Sequence, residues 1–136
     1  MSELVRKTIL HYKIVEKLGE GGMGVVYLAE DTKLGRAVAL KFLPGHGGAD
    51  DQNEARFVQE ARLAATLNHP NICVIHAIEE HEGQLFISME YVKGMDFKSK
   101  MRSGGMVLEE IIGVMSSVAD GLAVAHEKGI IHRDIK

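Results

Sequence analysis

Two β-forming runs, residues 12–18 and 25–29, are joined by Gly19-Glu20-Gly21-Gly22-Met23-Gly24, and this junction limits the fold more than any other feature of the chain. So short a connection, rich in a residue tolerant of left-handed backbone, returns the second strand antiparallel to the first. Turn-forming residues 31–36 then lead into Ala37-Val38-Ala39-Leu40-Lys41-Phe42-Leu43, so three consecutive antiparallel strands are predicted. Pro44-Gly45-His46-Gly47-Gly48 cannot continue a strand.

The periodicity then changes. Residues 51–67 read as a helix rich in Ala, Arg, Gln and Glu, with Asp50, Asp51 and Asn53 as candidate N-caps and a stop at Asn68-His69-Pro70-Asn71. Residues 72–78 and 85–91 read as two more strands around His81-Glu82-Gly83. A short polar helix is placed near Asp96. A long one runs from 108 to about 128, with Glu109 and Glu110 in its first turn and Gly129 as its stop. The expected class is α+β: a five-stranded antiparallel sheet with one helix, then a helical stretch, with the border near Lys93-Gly94.

Composition removes several alternatives. At 136 residues, 46% apolar and 26% charged, the chain is of single-domain size and globular balance. A net charge of −3 gives no reason to expect a nucleic-acid or anionic-membrane partner. The single cysteine, Cys73, precludes an internal disulfide and suits a reducing cytosol; with no basic-then-apolar leader, a cytoplasmic location is expected. The seven histidines show no metal-ligand spacing.

Gly19-x-Gly21-x-x-Gly24 admits several readings. A dinucleotide-binding turn needs a helix to open at the last glycine, where this chain has Val25-Val26-Tyr27. A Walker A loop needs Lys and then Ser or Thr at that point. A hairpin folded over phosphates, with unobstructed backbone N–H groups, fits the flanking strands, as does a plain flexible hairpin.

Lys41 is a charge within an apolar strand. At about 100° per residue, Glu60 falls within the helical arc marked by Phe57, Ala64 and Leu67. A carboxylate buried there needs a partner, and Lys41 is the nearest similarly embedded cation upstream.

The chain closes on Ile130-Ile131-His132-Arg133-Asp134-Ile135-Lys136. Gly19-x-Gly21-x-x-Gly24-x-Val26, Val38-Ala39-Leu40-Lys41, Glu60 in a helix and His132-Arg133-Asp134-x-Lys136, in that order, resemble the protein kinase family from about residue 12 onward. The glycine loop and His-Pro-Asn-Ile look most like its bacterial serine/threonine branch. The resemblance implies a lead over residues 1–11, a kinase N-lobe over 12–92, and the start of a C-lobe over 93–136, cut within the catalytic loop.

It also implies roles. Gly19, Glu20, Gly21, Gly22, Met23 and Gly24 would cover the phosphates of ATP, with Leu18 and Val26 above the adenine and Ala39 beside it. Lys41 would hold the α- and β-phosphates, and Glu60 would hold Lys41. Met89 falls at the gatekeeper position. The Glu90 carbonyl and the Val92 N–H would read the adenine edge, and Asp96 would lie near the ribose. Asp134 matches the catalytic base. Lys136 is the serine/threonine choice and would steady the γ-phosphate, while Arg133 would meet a phosphorylated activation loop.

The family's Mg²⁺ ligands, an asparagine three residues past that lysine and an Asp-Phe-Gly aspartate, are expected beyond the end of this chain, since no Asp-Phe-Gly occurs in it. The expected function is a serine/threonine protein kinase fragment that acts, when complete, on protein substrates, and that barely turns over alone. The alternative is a catalytically inactive module that binds a nucleotide or a partner kinase.

Overall fold

The computed structural model describes residues 4–21, 24–43 and 51–131, residues 51–53 by their backbone alone. The strands are β1 (Thr8–Ile9), β2 (Tyr12–Gly21), β3 (Gly24–Asp31), β4 (Arg36–Phe42), β5 (Ile75–His81) and β6 (Gln84–Glu90); the helices are α1 (Asp51–Ala65), α2 (Phe97–Arg102) and α3 (Leu108–Glu127). One six-stranded sheet has the order β1-β2-β3-β4-β6-β5, with every neighbouring pair antiparallel. The sheet thus has one strand more than the sequence predicts. The additional β1 is two residues long, too short to carry an alternating pattern.

The hairpins follow from local chemistry. Between β3 and β4, the Asp31 carboxylate accepts the Lys33 and Leu34 N–H groups, both at 3.0 Å, while the Gly35 N–H donates to the Asp31 carbonyl with φ at +67°. Burial pushes the Asp31 carboxyl up, but the two backbone donors outweigh it and hold the group below its ordinary range. Between β5 and β6, Glu82 and Gly83 both have positive φ, the backbone of a two-residue hairpin whose twist matches its strands.

Alternation sorts the sheet into two faces. Tyr27 and Ala29 of β3, Val38, Leu40 and Phe42 of β4, and Phe86 and Ser88 of β6 are buried, and the apolar ones form one core with Ile9, Tyr12 and Ile14. Phe42 stacks on Phe86 at 4.8 Å, and Tyr27 and Tyr12 meet these rings edge-on at 5.6 and 5.9 Å. Such contacts add about 0.5–1.5 kcal/mol each beyond area burial. Leu4 and Val5 pack against this core.

The helices attach at few points. α1 packs on β5, and its Ala61 is buried. α3 ends in a Schellman arrangement: Gly129 has φ +79°, its N–H donates to the His126 carbonyl, and the Ile130 N–H donates to that of Ala125. Leu108, Ile112 and Met115 of α3 are exposed, while Gly121 and Ala125 are buried.

Gly121 lies against the segment that precedes β5. A Cβ built there would meet the Asn71 carbonyl oxygen at 3.3 Å and Ile72 Cγ1 at 3.4 Å, whereas one built at Gly113 would meet nothing within 4 Å. Gly113→Ala is therefore expected to stabilise the chain by about 0.5–1 kcal/mol through helix propensity. Gly121→Leu is expected to destabilise it by about 1–3 kcal/mol through overpacking. Thermal melts of the two variants, moving in opposite directions, check this pair.

Candidate functional site

The sheet face opposite the core carries the predicted site. Lys41 pairs with Val26 on one side and Ile87 on the other, and Ala39 pairs with Met89. Each of these residues alternates with a core residue of its own strand, so Val26, Ala39, Lys41 and Met89 share a face. Ala39 is buried; Val26, Lys41 and Met89 are half-buried. A lysine here keeps its aliphatic stem against apolar neighbours and presents its ammonium at the open side.

The β2–β3 ribbon runs past one end of this face. β2 and β3 stay paired to Gly21 opposite Gly24, and β3 begins at Gly24, where φ is +112°. A strand rather than a helix therefore opens at the last glycine, which removes the dinucleotide-turn reading. Gly22 and Met23 lie outside the described residues. A Cβ at Gly19 or Gly21 would meet nothing within 4 Å, so the ribbon is open on that side. Leu18 lies at an irregularity between Lys17 and Gly19 and is exposed. Glu20, also exposed, is paired with Lys17. That bond raises the Lys17 pKa and lowers the Glu20 pKa, fixing the ribbon's own charges on each other.

Glu60 departs from expectation. It is exposed, and no ion pair joins it to Lys41. The arc that enclosed it was drawn with Leu67, which lies past the last helical residue, Ala65, where 100° spacing no longer applies. Without Leu67 the inward stripe is Phe57, Ala61 and Ala64, and Glu60 falls at its rim, where water solvates the carboxylate.

The remaining sites divide. Glu90 ends β6, and Val92 follows it, exposed. Asp96 is the N-cap of α2: its carboxylate accepts the Ser99 N–H at 2.6 Å. That bond holds the Asp96 carboxyl below its ordinary range. Asp134, Lys136 and Arg133 lie outside the described residues.

Two features were not anticipated. Cys73 and Val74 bond to Glu90, and Asn71 Nδ2 donates to the Ser117 carbonyl of α3 at 3.0 Å. The placement of Asn71 just after a helix stop is the only sequence signal for either. Among the described residues, no three His, Cys, Asp or Glu side chains gather as metal ligands. Among them, too, no helix is long and apolar enough to cross a membrane.

The chain belongs to the protein kinase family: residues 12–136 match the protein kinase domain. It is 44% identical over 125 residues to serine/threonine-protein kinase PknJ of Mycobacterium tuberculosis, covering 92% of this chain and 21% of that protein. It is 40% identical over 126 residues to serine/threonine-protein kinase PrkC of Bacillus subtilis, covering 92% of this chain and 19% of that one. The crystal structure of the Mycobacterium tuberculosis PknI kinase domain superposes with a TM-score of 0.81 at 36% identity, over 96% of this chain and 53% of that one. The chain thus spans about a fifth of these curated relatives and about half of the solved kinase domain.

The Asp96 cap yields a pH prediction. Because its folded pKa is lowered, the stabilisation is fully present above the ordinary carboxylate value and is lost as pH falls through the lowered one. The protection factor of the Ser99 amide, its exchange rate relative to an unstructured peptide at the same pH, is expected to fall in that acid range, and in Asp96→Ala at neutral pH. In Asp96→Asn the protection factor is kept at both, since the amide oxygen still accepts.

Proposed function

We propose that this chain is the nucleotide-binding part of a serine/threonine protein kinase, with ATP seated under the β2–β3 hairpin. The observation that carries the reading is the strand register, which lines one sheet face with Val26, Ala39, Lys41 and Met89 beneath an open glycine ribbon. An adenine ring fits against the apolar members of that set, with Leu18 at the rim. The hinge stretch Glu90–Val92 supplies backbone groups to the base edge, and Asp96 lies near the ribose. Residues 19–24 bring backbone N–H groups to the phosphates, and Lys41 sets its ammonium against the α- and β-phosphates in partly water-excluded surroundings, where charge acts more strongly than in bulk solvent. In this reading Glu60 supports Lys41 after α1 turns its rim inward.

In the complete enzyme, a substrate serine or threonine hydroxyl attacks the γ-phosphorus, the bond to the β-phosphate oxygen breaks, and ADP leaves. Asp134 orients that hydroxyl and takes its proton, and Lys136 neutralises charge on the transferred group. Mg²⁺ supplies further charge neutralisation when bound, from ligands downstream of this segment. The reading places the kinase domain in the cytoplasm, acting on proteins.

ATP is expected to raise the melting temperature of the chain, and Lys41→Met is expected to remove most of that rise while leaving the ligand-free melt within about 0.5 kcal/mol of wild type, as for a change away from the buried core. A nucleotide-induced shift of equal size in both proteins would contradict the assignment of Lys41.

A further inference from the structure

The residues just before β5 grip a single residue at the end of β6. The Glu90 N–H donates to the Val74 carbonyl at 2.8 Å, and the Val74 N–H donates to Glu90 Oε1 at 3.1 Å. The Cys73 thiol donates to the Glu90 carbonyl at 3.3 Å. This segment is itself tied down. The Asn71 N–H donates to His69 Nδ1 at 3.0 Å, the Asn71 side chain donates to the Ser117 carbonyl, and its backbone lies against Gly121. Glu90 is therefore held at its N–H, its carbonyl and its carboxylate by a segment anchored on α3.

The carbonyl of Glu90 is the group that the proposed function gives to the base. A backbone carbonyl has two lone pairs. The thiol takes one of them from the β5 side, and the other remains for a second donor. A free carbonyl at a strand end rocks with its peptide plane, and a donor on one side limits that motion before any ligand arrives. Cys73 is exposed, yet partial desolvation, and then the Glu90 carboxylate nearby, push its thiol pKa up, so the sulfur keeps its proton and remains a donor at neutral pH.

We infer that Cys73 is a positioning residue for base recognition: its thiol fixes the Glu90 carbonyl so that the remaining lone pair accepts from the 6-amino group of an adenine nucleotide. The inference rests on the reading of that sheet face as a nucleotide site and adds to it a determinant of base selectivity on the segment before β5. It distinguishes purines by whether they carry a donor at position 6.

The test compares dissociation constants of the 136-residue chain for ATP and for purine riboside triphosphate, which has hydrogen in place of the amino group. Cys73→Ala is expected to weaken ATP binding about three- to tenfold, the usual worth of one modest hydrogen bond, and to leave purine riboside triphosphate within about twofold. Cys73→Ser keeps a donor and is expected to restore ATP affinity. Cys73→Val, near cysteine in volume but without a donor, is run in parallel and should match Cys73→Ala. Equal weakening of both nucleotides in the donor-less variants would mean that Cys73 only supports the fold, and unchanged ATP affinity would mean that it positions nothing. Either result overturns the inference and leaves the nucleotide site standing. A wild-type chain that binds neither nucleotide overturns the site and the inference together.

Discussion

The alternation of β4 is the constraint on which the rest depends. Val38, Leu40 and Phe42 point into the aromatic core, which puts Ala39 and Lys41 on the other side. A slip of one residue would bury the lysine and expose Leu40. The cost would be several kcal/mol, from burying an unpaired charge and losing apolar contacts. Core packing therefore fixes where the ammonium of Lys41 is presented. Because β4 is paired on both sides, the same register carries Val26 and Met89 to that face. The stability of the lobe and the make-up of that face are one problem with one solution.

A second constraint joins the sheet to the helical part. The segment from His69 to Val74 forms no helix or strand, and it holds its shape through bonds to both neighbours: to α3 through Asn71 and Gly121, and to the end of β6 through Cys73 and Val74. Its backbone also turns on itself, the Ile72 N–H donating to the His69 carbonyl. The strand end that carries Glu90 is thereby located relative to α3 without a large apolar interface. The exposed Leu108, Ile112 and Met115 show how little of α3 is used for this purpose.

Much of the architecture was legible because it is local. The β2–β3, β3–β4 and β5–β6 hairpins each announce themselves by short turns with Gly or Asp, and α3 by its acidic first turn and its C-terminal glycine. What was missed was either too short to show a pattern or depends on contacts distant in sequence. β1 has only two residues and exists because β2 pairs with it. β5 begins at Ile75 rather than at 72, because Cys73 and Val74 are spent on Glu90. The register sets Val26 beside Lys41 and Ala39 beside Met89 on one sheet face. Glu60 is exposed rather than turned toward Lys41, because the arc that enclosed it included a residue past the helix end. The bonds to Glu90 left no trace in the sequence, since a cysteine in an apolar run reads as ordinary core.

The central claim is that nucleotide occupies the face opposite the aromatic core. Backbone amide chemical-shift mapping during an ATP titration tests it most directly, because alternate residues of one strand report on opposite faces. The account predicts the largest shifts at Val26, Ala39, Lys41 and Met89 and in the glycine ribbon, with Leu40, Phe42 and Phe86 little changed. Shifts concentrated on α3, or absent from the sheet at saturating ATP, would contradict it.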